Sequence, residues 1–435
     1  MFEIRSLHSS ITKKLSFLTT QPATLLRDGF ISVCKKSLPP RRKFIEMTVC
    51  IIGWSHGNFG RQPEESIESL LNAVATDALI DAGIDASDVD GGYVGMLNVG
   101  FSRQDFPSPL LLQANEGLRF KPFTRVENAC ASGSAALYAG MNFIKAGEGR
   151  IALVAGVEKM SDVPTEQAGE NLLCCSYRPE EAMTKGGFAG IFAGIAERYF
   201  QTYGDKSASL ARIAAKNHAN AMENPFAQMR KDLGFEFCNT VSEKNPYVIQ
   251  PLRRTDCAPI SDGAAAIVLA DIKTAMSMRK AVALRATQQV TDFMPLSRRN
   301  PIRFEGASMA WSRALQSAQI SLKELSLVEV HDCFTIAELI SYEAMGLVPP
   351  GEGARAIDEG WVLKDGRLPI NPSGGLKAKG HPIGATGISM HALAAMQVTG
   401  TAGGMQIPDA NLAGVFNMGG SAVANYVSIL EPLRA

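Results

Sequence analysis

Val126-Glu127-Asn128-Ala129-Cys130-Ala131-Ser132-Gly133-Ser134 runs from an apolar residue through one thiol into a row of small residues. This is the pattern of a strand or coil turning into a helix. Two histidine loops have the same character: His331-Asp332-Cys333-Phe334, and Gly380-His381-Pro382-Ile383-Gly384-Ala385-Thr386-Gly387. At a helix start, unpaired N–H groups and the positive end of the helix dipole favour the thiolate, which predicts a lowered pKa for Cys130. A thiolate attacks an acyl carbon and leaves a thioester that still transfers its acyl group. His381, held in a turn of glycines and proline, is placed as the general base for that thiol. Its lead-in, Asn371 to Lys379, is longer and more irregular than packing alone requires. On the His331 turn, alternate side chains can reach one cleft. There a histidine N–H stabilises a developing enolate, and the Cys333 thiol moves the proton on the carbon beside the carbonyl. The competing reading is that free cysteines are inert packing residues. It is the expectation for Cys34, Cys50, Cys174, Cys175, Cys238 and Cys257.

Outward from these loops, short apolar strands alternate with amphipathic helices from Thr48 on. Residues 49–53 read as a strand. Ile67, Leu70, Leu71, Val74 and Ala78 mark one helical face, closed by Gly83. Residues 93–96 and 151–155 read as further strands, with a helix from the Cys130 segment to about Lys145. Such alternation predicts helices on largely parallel sheets. Residues 161–259 break the rhythm and read as an insertion over the active face. The programme then repeats, with a helix over 308–318, a strand over 327–330 and a helix from Thr335. A helix follows from the His381 segment to about Gln397, and two strands lie near Val415 and Val427. Cys130-x-x-Gly133 and His381-x-x-Gly384 occupy equivalent points of the two repeats. This predicts two similar α/β halves whose helix N-termini converge on one site.

With 435 residues, 46% apolar and 20% charged, the chain has room for two or three domain-sized units. Lys plus Arg and Asp plus Glu each number 43, so charge does not point to nucleic acid or an acidic membrane surface. No stretch nears the roughly 18 apolar residues of a membrane span. The eight cysteines lack C-x-x-C spacing and the six histidines lack H-E-x-x-H, so neither a disulfide scaffold nor a metal site is legible. A reducing compartment is expected. Residues 1–46 carry an excess of Lys and Arg and many Ser and Thr. They read either as an organelle transit peptide or as residues ahead of a start at Met47. The cytoplasm is therefore the expected location, with the mitochondrion as the alternative. The C-terminal Pro432-Leu433-Arg434-Ala435 is not the S-K-L peroxisomal address.

Taken with Lys216-Asn217-His218, Asn224-Pro225-Phe226-Ala227 and Ser261-Asp262-Gly263-Ala264-Ala265-Ala266, the three loops make the chain resemble a thiolase. The likeness runs from about Met47 to Leu433 and is strongest to the sterol-carrier-protein-2 type and to acetyl-CoA acetyltransferases. It implies a thiolase fold: two βαβαβαββ halves in five layers (α/β/α/β/α), over residues 47–160 plus 260–275 and residues 276–435. The inserted loop domain would span 161–259. It also implies a homodimer or homotetramer that takes coenzyme A and acyl-CoA as substrates, with no bound cofactor and no metal. Cys130 would be the acylated nucleophile, and His381 its activator and part of one oxyanion hole, completed by His331. The N–H groups of Cys130 and Gly419 would form the second hole. Substrate contacts are expected at Ser261 and Gly263. The chain departs from most thiolases in two places. His331-Asp332-Cys333-Phe334 stands for Asn-Glu-Ala-Phe, and Asn417-Met418-Gly419 stands for C-x-G. The acid/base thiol is thus assigned to Cys333. The expected activity is reversible Claisen cleavage or condensation of 3-oxoacyl-CoA. Two alternatives are a carrier-protein-dependent 3-oxoacyl synthase and a low-activity scaffold or partner subunit.

Overall fold

The computed structural model describes residues 48–434, so readings of residues 1–46 fall outside the described residues. Nine strands form one sheet: β1 (Val49–His56), β2 (Gly91–Gly95), β3 (Phe123–Val126), β4 (Ile151–Lys159), β5 (Asp262–Asp271), β6 (Ala281–Thr291), β7 (Leu327–Val330), β8 (Ala413–Gly419) and β9 (Ala424–Arg434). Their order is β3-β2-β4-β5-β1-β6-β9-β8-β7. The longer helices are α1 (Ile67–Ala82), α2 (Ser132–Lys145), α3 (Gly187–Tyr203), α4 (Ser207–Ala221), α5 (Glu305–Ala318), α6 (Thr335–Ala344) and α7 (Ile383–Val398).

Read outward from the β1–β6 junction, the two halves have the same order. β1, β5, β4 and β2 on one side correspond to β6, β9, β8 and β7 on the other. The sheet is mixed, which corrects the expectation of largely parallel sheets. β2 runs parallel to β3 and β4, and β7 parallel to β8. The last strand of each half, β5 or β9, enters antiparallel to both neighbours. The two halves are also joined through the ladder. Cys50 pairs with Ala283 and Ile51 with Val282, making a single continuous sheet. The third strand expected in the second half shrinks to one bridge between Val328 and Ile370. Pro369 has no N–H to extend that pairing, and Asn371, at φ 55°, turns the chain away toward the His381 loop.

Local signals explain the helix ends. Ser66 and Ser69 form a capping box at the start of α1, and Gly83 closes it in the left-handed conformation. Strand β4 is buried on both faces. Ile151, Leu153, Ala155 and Val157 join the cluster under α1, whereas Ala152 and Val154 join the larger core containing α2 and α7. Helices α2 and α7 pack on each other between the halves, with α1 outside the first half and α5 outside the second. A Cβ on Gly133 would lie 2.7 Å from the Gly384 carbonyl oxygen. The glycine repeated after Cys130 and after His381 therefore permits the two helix N-termini to touch. Between β4 and β5 the chain forms α3, α4, shorter helices and the hairpin Tyr247–Ile249/Leu252–Arg253.

Candidate active site

Cys130 sits in a sharp turn between β3 and α2. Ala129 has φ 50°, which is uncommon for a residue with a Cβ. Ser132 holds the turn: its Oγ accepts the Asn128 N–H at 2.9 Å and donates to the Ala129 carbonyl at 2.6 Å. The thiol is 2% exposed. Burial pushes its pKa up to about 12, although the N–H groups of Gly420 and of Cys130 itself favour the thiolate. This corrects the expectation of a lowered pKa. Loss of water outweighs the helix start here, because α2 begins only at Ser132 and the thiol is fully enclosed.

His381 is held by tertiary contacts. Its N–H donates to Ser261 Oγ at 2.9 Å. The preceding loop is gripped by the Gln228 N–H on the Lys379 carbonyl and the Met229 N–H on the Ala378 carbonyl, at 2.9 and 3.0 Å. Thr386 Oγ1 donates to the Pro382 carbonyl at 3.0 Å and lies 2.7 Å from His381 Nδ1. A carbonyl only accepts, so the Thr386 proton is committed and its oxygen accepts Nδ1–H. The lone pair of His381 is thus on Nε2. Burial first, then the Lys379 charge, pulls the ring pKa down to about 3, so it is a neutral base.

His331 has the opposite tautomer. Asn417 Nδ2 lies 2.9 Å from His331 Nδ1 and 3.2 Å from the Cys130 carbonyl, while Asn417 Oδ1 accepts from Ser134 Oγ at 2.8 Å. An amide nitrogen only donates, so His331 Nδ1 accepts and the ring proton is on Nε2. That Nε2–H is buried and has no partner among the described residues. Burial, then His381 and Lys379, holds this ring far below its ordinary pKa. The two rings meet edge to face with centroids 4.9 Å apart. One ligand atom each of Cys130, His331 and His381 lie within 4.8 Å of one another. No metal-ligand spacing is visible in the sequence, yet folding assembles a Cys–His–His triangle.

Beneath this centre lies a buried polar network. Asp332 accepts the Leu376 and Lys377 N–H groups and Asn217 Nδ2, at 2.6, 3.2 and 2.7 Å. Asn217 also reaches Glu338, which takes Lys216 Nζ at 2.6 Å. The Lys-Asn-His stretch therefore anchors the His331 loop from below. Cys333 is 5% exposed, and its thiol is held well above the ordinary range by burial first, then by Cys130 and Asp332. Gly419 abuts the Asn128 carbonyl, where no side chain fits. A cavity of about 580 Å³ lies beside the Cys130 turn, lined in part by Asn128, Ala129, Cys174, Cys175, Gly419 and Gly420.

Ser261 and Gly263 sit behind the His381 loop and not on this cavity. Ser261 is fully buried and donates to Gln228 Oε1 at 2.5 Å, and a Cβ on Gly263 would meet Phe59 and Pro382. Cys174 is exposed, against the expectation of a packing thiol, and Cys257 is partly so; Cys50, Cys175 and Cys238 are buried. Sequence reasoning missed Thr386, Glu158 and the role of Asn417. Glu158, on β4, accepts the N–H groups of Leu97, Asn98 and Gly384, and so clamps the start of α7 to the first half. A carboxylate closing an apolar strand was its only signal.

Comparisons with known proteins identify the family. The family domains described as "Thiolase, N-terminal domain" and "Thiolase C-terminal domain-like" match residues 49–273 and 288–432. The chain belongs to the thiolase family. It is 38% identical over 88% of its length to an acetyl-CoA acetyltransferase of Methanothermobacter thermautotrophicus, covering 99% of that protein. It is 32% identical over 84% of its length to human sterol carrier protein 2, covering 68% of that protein. Two solved structures share the fold. The Ltp2-ChsH2(DUF35) aldolase has TM-score 0.76 and 21% identity over 90% of this thiolase and 100% of that chain. A monomeric SCP2-thiolase-like protein type 1 from Mycobacterium smegmatis has TM-score 0.68 and 18% identity, over 89% and 78%. The thiolase is an acyltransferase that uses coenzyme A thioesters as substrates and needs no bound cofactor. Among the described residues, no helix is long and apolar enough to cross a membrane.

Proposed function

We propose that the thiolase runs reversible Claisen chemistry on 3-oxoacyl-CoA, with Cys130 as the acylated nucleophile and Cys333 as the acid/base thiol. The observation that carries this reading is the pair of opposite histidine tautomers around Cys130. One ring offers a lone pair and the other a proton. In cleavage, His381 Nε2 takes the Cys130 proton, and the thiolate attacks the 3-oxo carbon. The carbon–carbon bond breaks, the released acetyl-CoA enolate takes a proton from Cys333, and the acyl group stays on Cys130. The thiol of a second coenzyme A then gives its proton to the Cys333 thiolate and attacks that thioester; acyl-CoA leaves, and the Cys130 thiolate takes back its proton from His381. Condensation reverses these steps. His331 Nε2–H, with His381 once protonated, stabilises the enolate oxygen. The N–H groups of Cys130 and Gly419 hold the acyl-enzyme oxyanion. Ser261 and Gly263 contribute by supporting the His381 loop.

A role in lipid breakdown such as fatty-acid β-oxidation follows from this substrate class. A homodimer is supported by β3, a sheet edge with one free side, and a homotetramer would pair such dimers. The thiolase acts in the cytoplasm in this reading, or in the mitochondrion if residues 1–46 serve as a transit peptide. The test is coenzyme A-dependent cleavage of acetoacetyl-CoA, with acylation of Cys130 followed by mass spectrometry. Cys130→Ala is expected to lose both, whereas Cys333→Ala keeps acylation from acetyl-CoA and loses cleavage. Full cleavage by Cys333→Ala would move the acid/base role to another group. A parent that neither cleaves nor becomes acylated would favour the scaffold.

A further inference from the structure

Cys130, His331 and His381 form a buried cluster of a thiol and two imidazoles, with one ligand atom of each within 4.8 Å of the others. Sulfur and imidazole nitrogen are the donors that zinc and similar divalent cations take. A nucleophile sequestered by such an ion could not be acylated, so the fold needs a reason for the triangle to stay free. An imidazole ligates only through a nitrogen that carries no proton. His381 satisfies that condition at Nε2. His331 does not, because its Nε2 carries the ring proton.

That proton is held in place by one side chain. Asn417 donates to His331 Nδ1 at 2.9 Å, and its amide cannot be turned over without loss. The same nitrogen faces the Cys130 carbonyl at 3.2 Å, and the amide oxygen takes the Ser134 hydroxyl at 2.8 Å. A reversed amide would set oxygen against oxygen at Cys130. The far nitrogen of His331 is left as a buried donor with no partner among the described residues, on a ring whose centroid lies 4.9 Å from that of His381.

We propose that Asn417 is a tautomer lock. By holding the His331 proton on Nε2, it keeps that nitrogen a hydrogen-bond donor to substrate oxygen and denies a divalent cation its third ligand in the Cys130–His331–His381 triangle. The donor half of this statement rests on the acyl-transfer reading above; the metal half does not. Asn417 is a positioning residue, since it acts through His331. Aspartate is nearly the same size but can only accept. Asn417→Asp therefore draws the proton to Nδ1, turns the Nε2 lone pair into the pocket, and builds the carboxylate–histidine–metal arrangement that favours ligation.

The test uses full-length protein, with cobalt(II) as the probe and ¹⁵N NMR of histidine-labelled protein as the direct reading of tautomers. The parent is expected to show His331 protonated on Nε2, identified by the signal lost in His331→Asn. It is also expected to show no thiolate-to-cobalt absorption at concentrations that saturate Asn417→Asp. The Asp variant should bind one cobalt, lose that band when Cys130→Ala is added, and lose activity by about 10²–10³-fold. Chelation should not restore the activity, since the donor itself is gone. Asn417→Leu, which removes the lock without reversing it, should give a mixed tautomer signal. An Nδ1 proton in the parent, an unchanged His331 signal in Asn417→Leu, or equal cobalt affinity in parent and Asp variant would each overturn the lock. If the acyl-transfer reading fails, the NMR and cobalt results still stand or fall on their own.

Discussion

The Cys130 turn and the His381 loop occupy matching places in the two halves, yet they are built differently. Each leads into a central helix, and each carries a glycine three residues on, where the helices touch. The Cys130 turn is fastened mainly from nearby: Ser132, two residues away, supplies two hydrogen bonds, while Asn417 reaches the Cys130 carbonyl from β8. The His381 loop has one local fastener, Thr386 on α7, but most of its hold comes from afar. It is held by Ser261 from β5's approach, by Gln228 and Met229 from the insertion, and by Asp332 through Leu376 and Lys377. The proposed nucleophile is thus set mostly by a local turn, and the proposed base mostly by tertiary structure.

The sharpest way to break this comparison is to remove the base and watch the thiol. His381→Ala should slow acylation of Cys130 by about 10²–10⁴-fold. Burial holds the thiol at about 12, far above working pH. Without an internal base, the thiolate fraction therefore rises about tenfold for each pH unit between 7 and 9. The parent should lack that slope, since the proton passes to an imidazole held neutral by its pKa of about 3. Stopped-flow acylation across this range decides it, and a flat profile in His381→Ala would show that another group activates Cys130.

The contact between the halves comes next. A Cβ on Gly384 would overlap the Val157 carbonyl oxygen and lie 2.7 Å from Met96 Cα, both in the first half. Gly384→Ala should cost about 3 kcal/mol in denaturant unfolding, as overpacking of a close contact does. Gly194→Ala, on α3 with open space around it, should instead be neutral or stabilise by about 0.5–1 kcal/mol. Equal effects at the two positions would mean that the central helices do not meet as closely as drawn.

A smaller effect separates the two modes of support. Ser132→Ala leaves the half-buried Asn128 N–H without its acceptor, frees the Ala129 carbonyl as well, and should cost about 2 kcal/mol in stability. Ser261→Ala removes one of several fasteners from the His381 loop and should cost about 1 kcal/mol. Urea unfolding of both variants gives the order, and a reversed order would contradict the division into local and tertiary support.

Glu158 adds a pH signature of lesser size. Burial raises its carboxyl to about 7, well above an ordinary glutamate. Between roughly pH 4.5 and 7 the unfolded chain ionises this group before the folded one does. Its contribution to stability is therefore lost as pH rises through that window. Glu158→Gln should flatten that part of the stability–pH curve, measured by urea unfolding at pH 5, 6 and 7. An unchanged curve would mean the carboxylate is already ionised in the folded protein.

Much of this protein was legible in its sequence because the signals are local. Helix periodicity and the closing Gly83 set α1, the turn into a helix marked Cys130 and the start of α2, and repeated spacing revealed two halves. The thiolase motifs added the family. What stayed hidden depends on partners distant along the chain. The antiparallel entry of β5, and the single sheet joined at Cys50–Ala283, follow from pairing between strands far apart along the chain. The Cys130 pKa was misjudged because the helix-end argument sees only neighbours in sequence, whereas desolvation counts everything packed around the thiol. Asn417 could be quoted only as a departure from a motif. Its hydrogen bonds to His331 and to the Cys130 loop exist because β8 passes beneath both. The sequence by itself determined which groups could do the chemistry. Tertiary structure alone decided which nitrogen of each histidine carries the proton, because that proton follows whichever partner the fold sets against the ring.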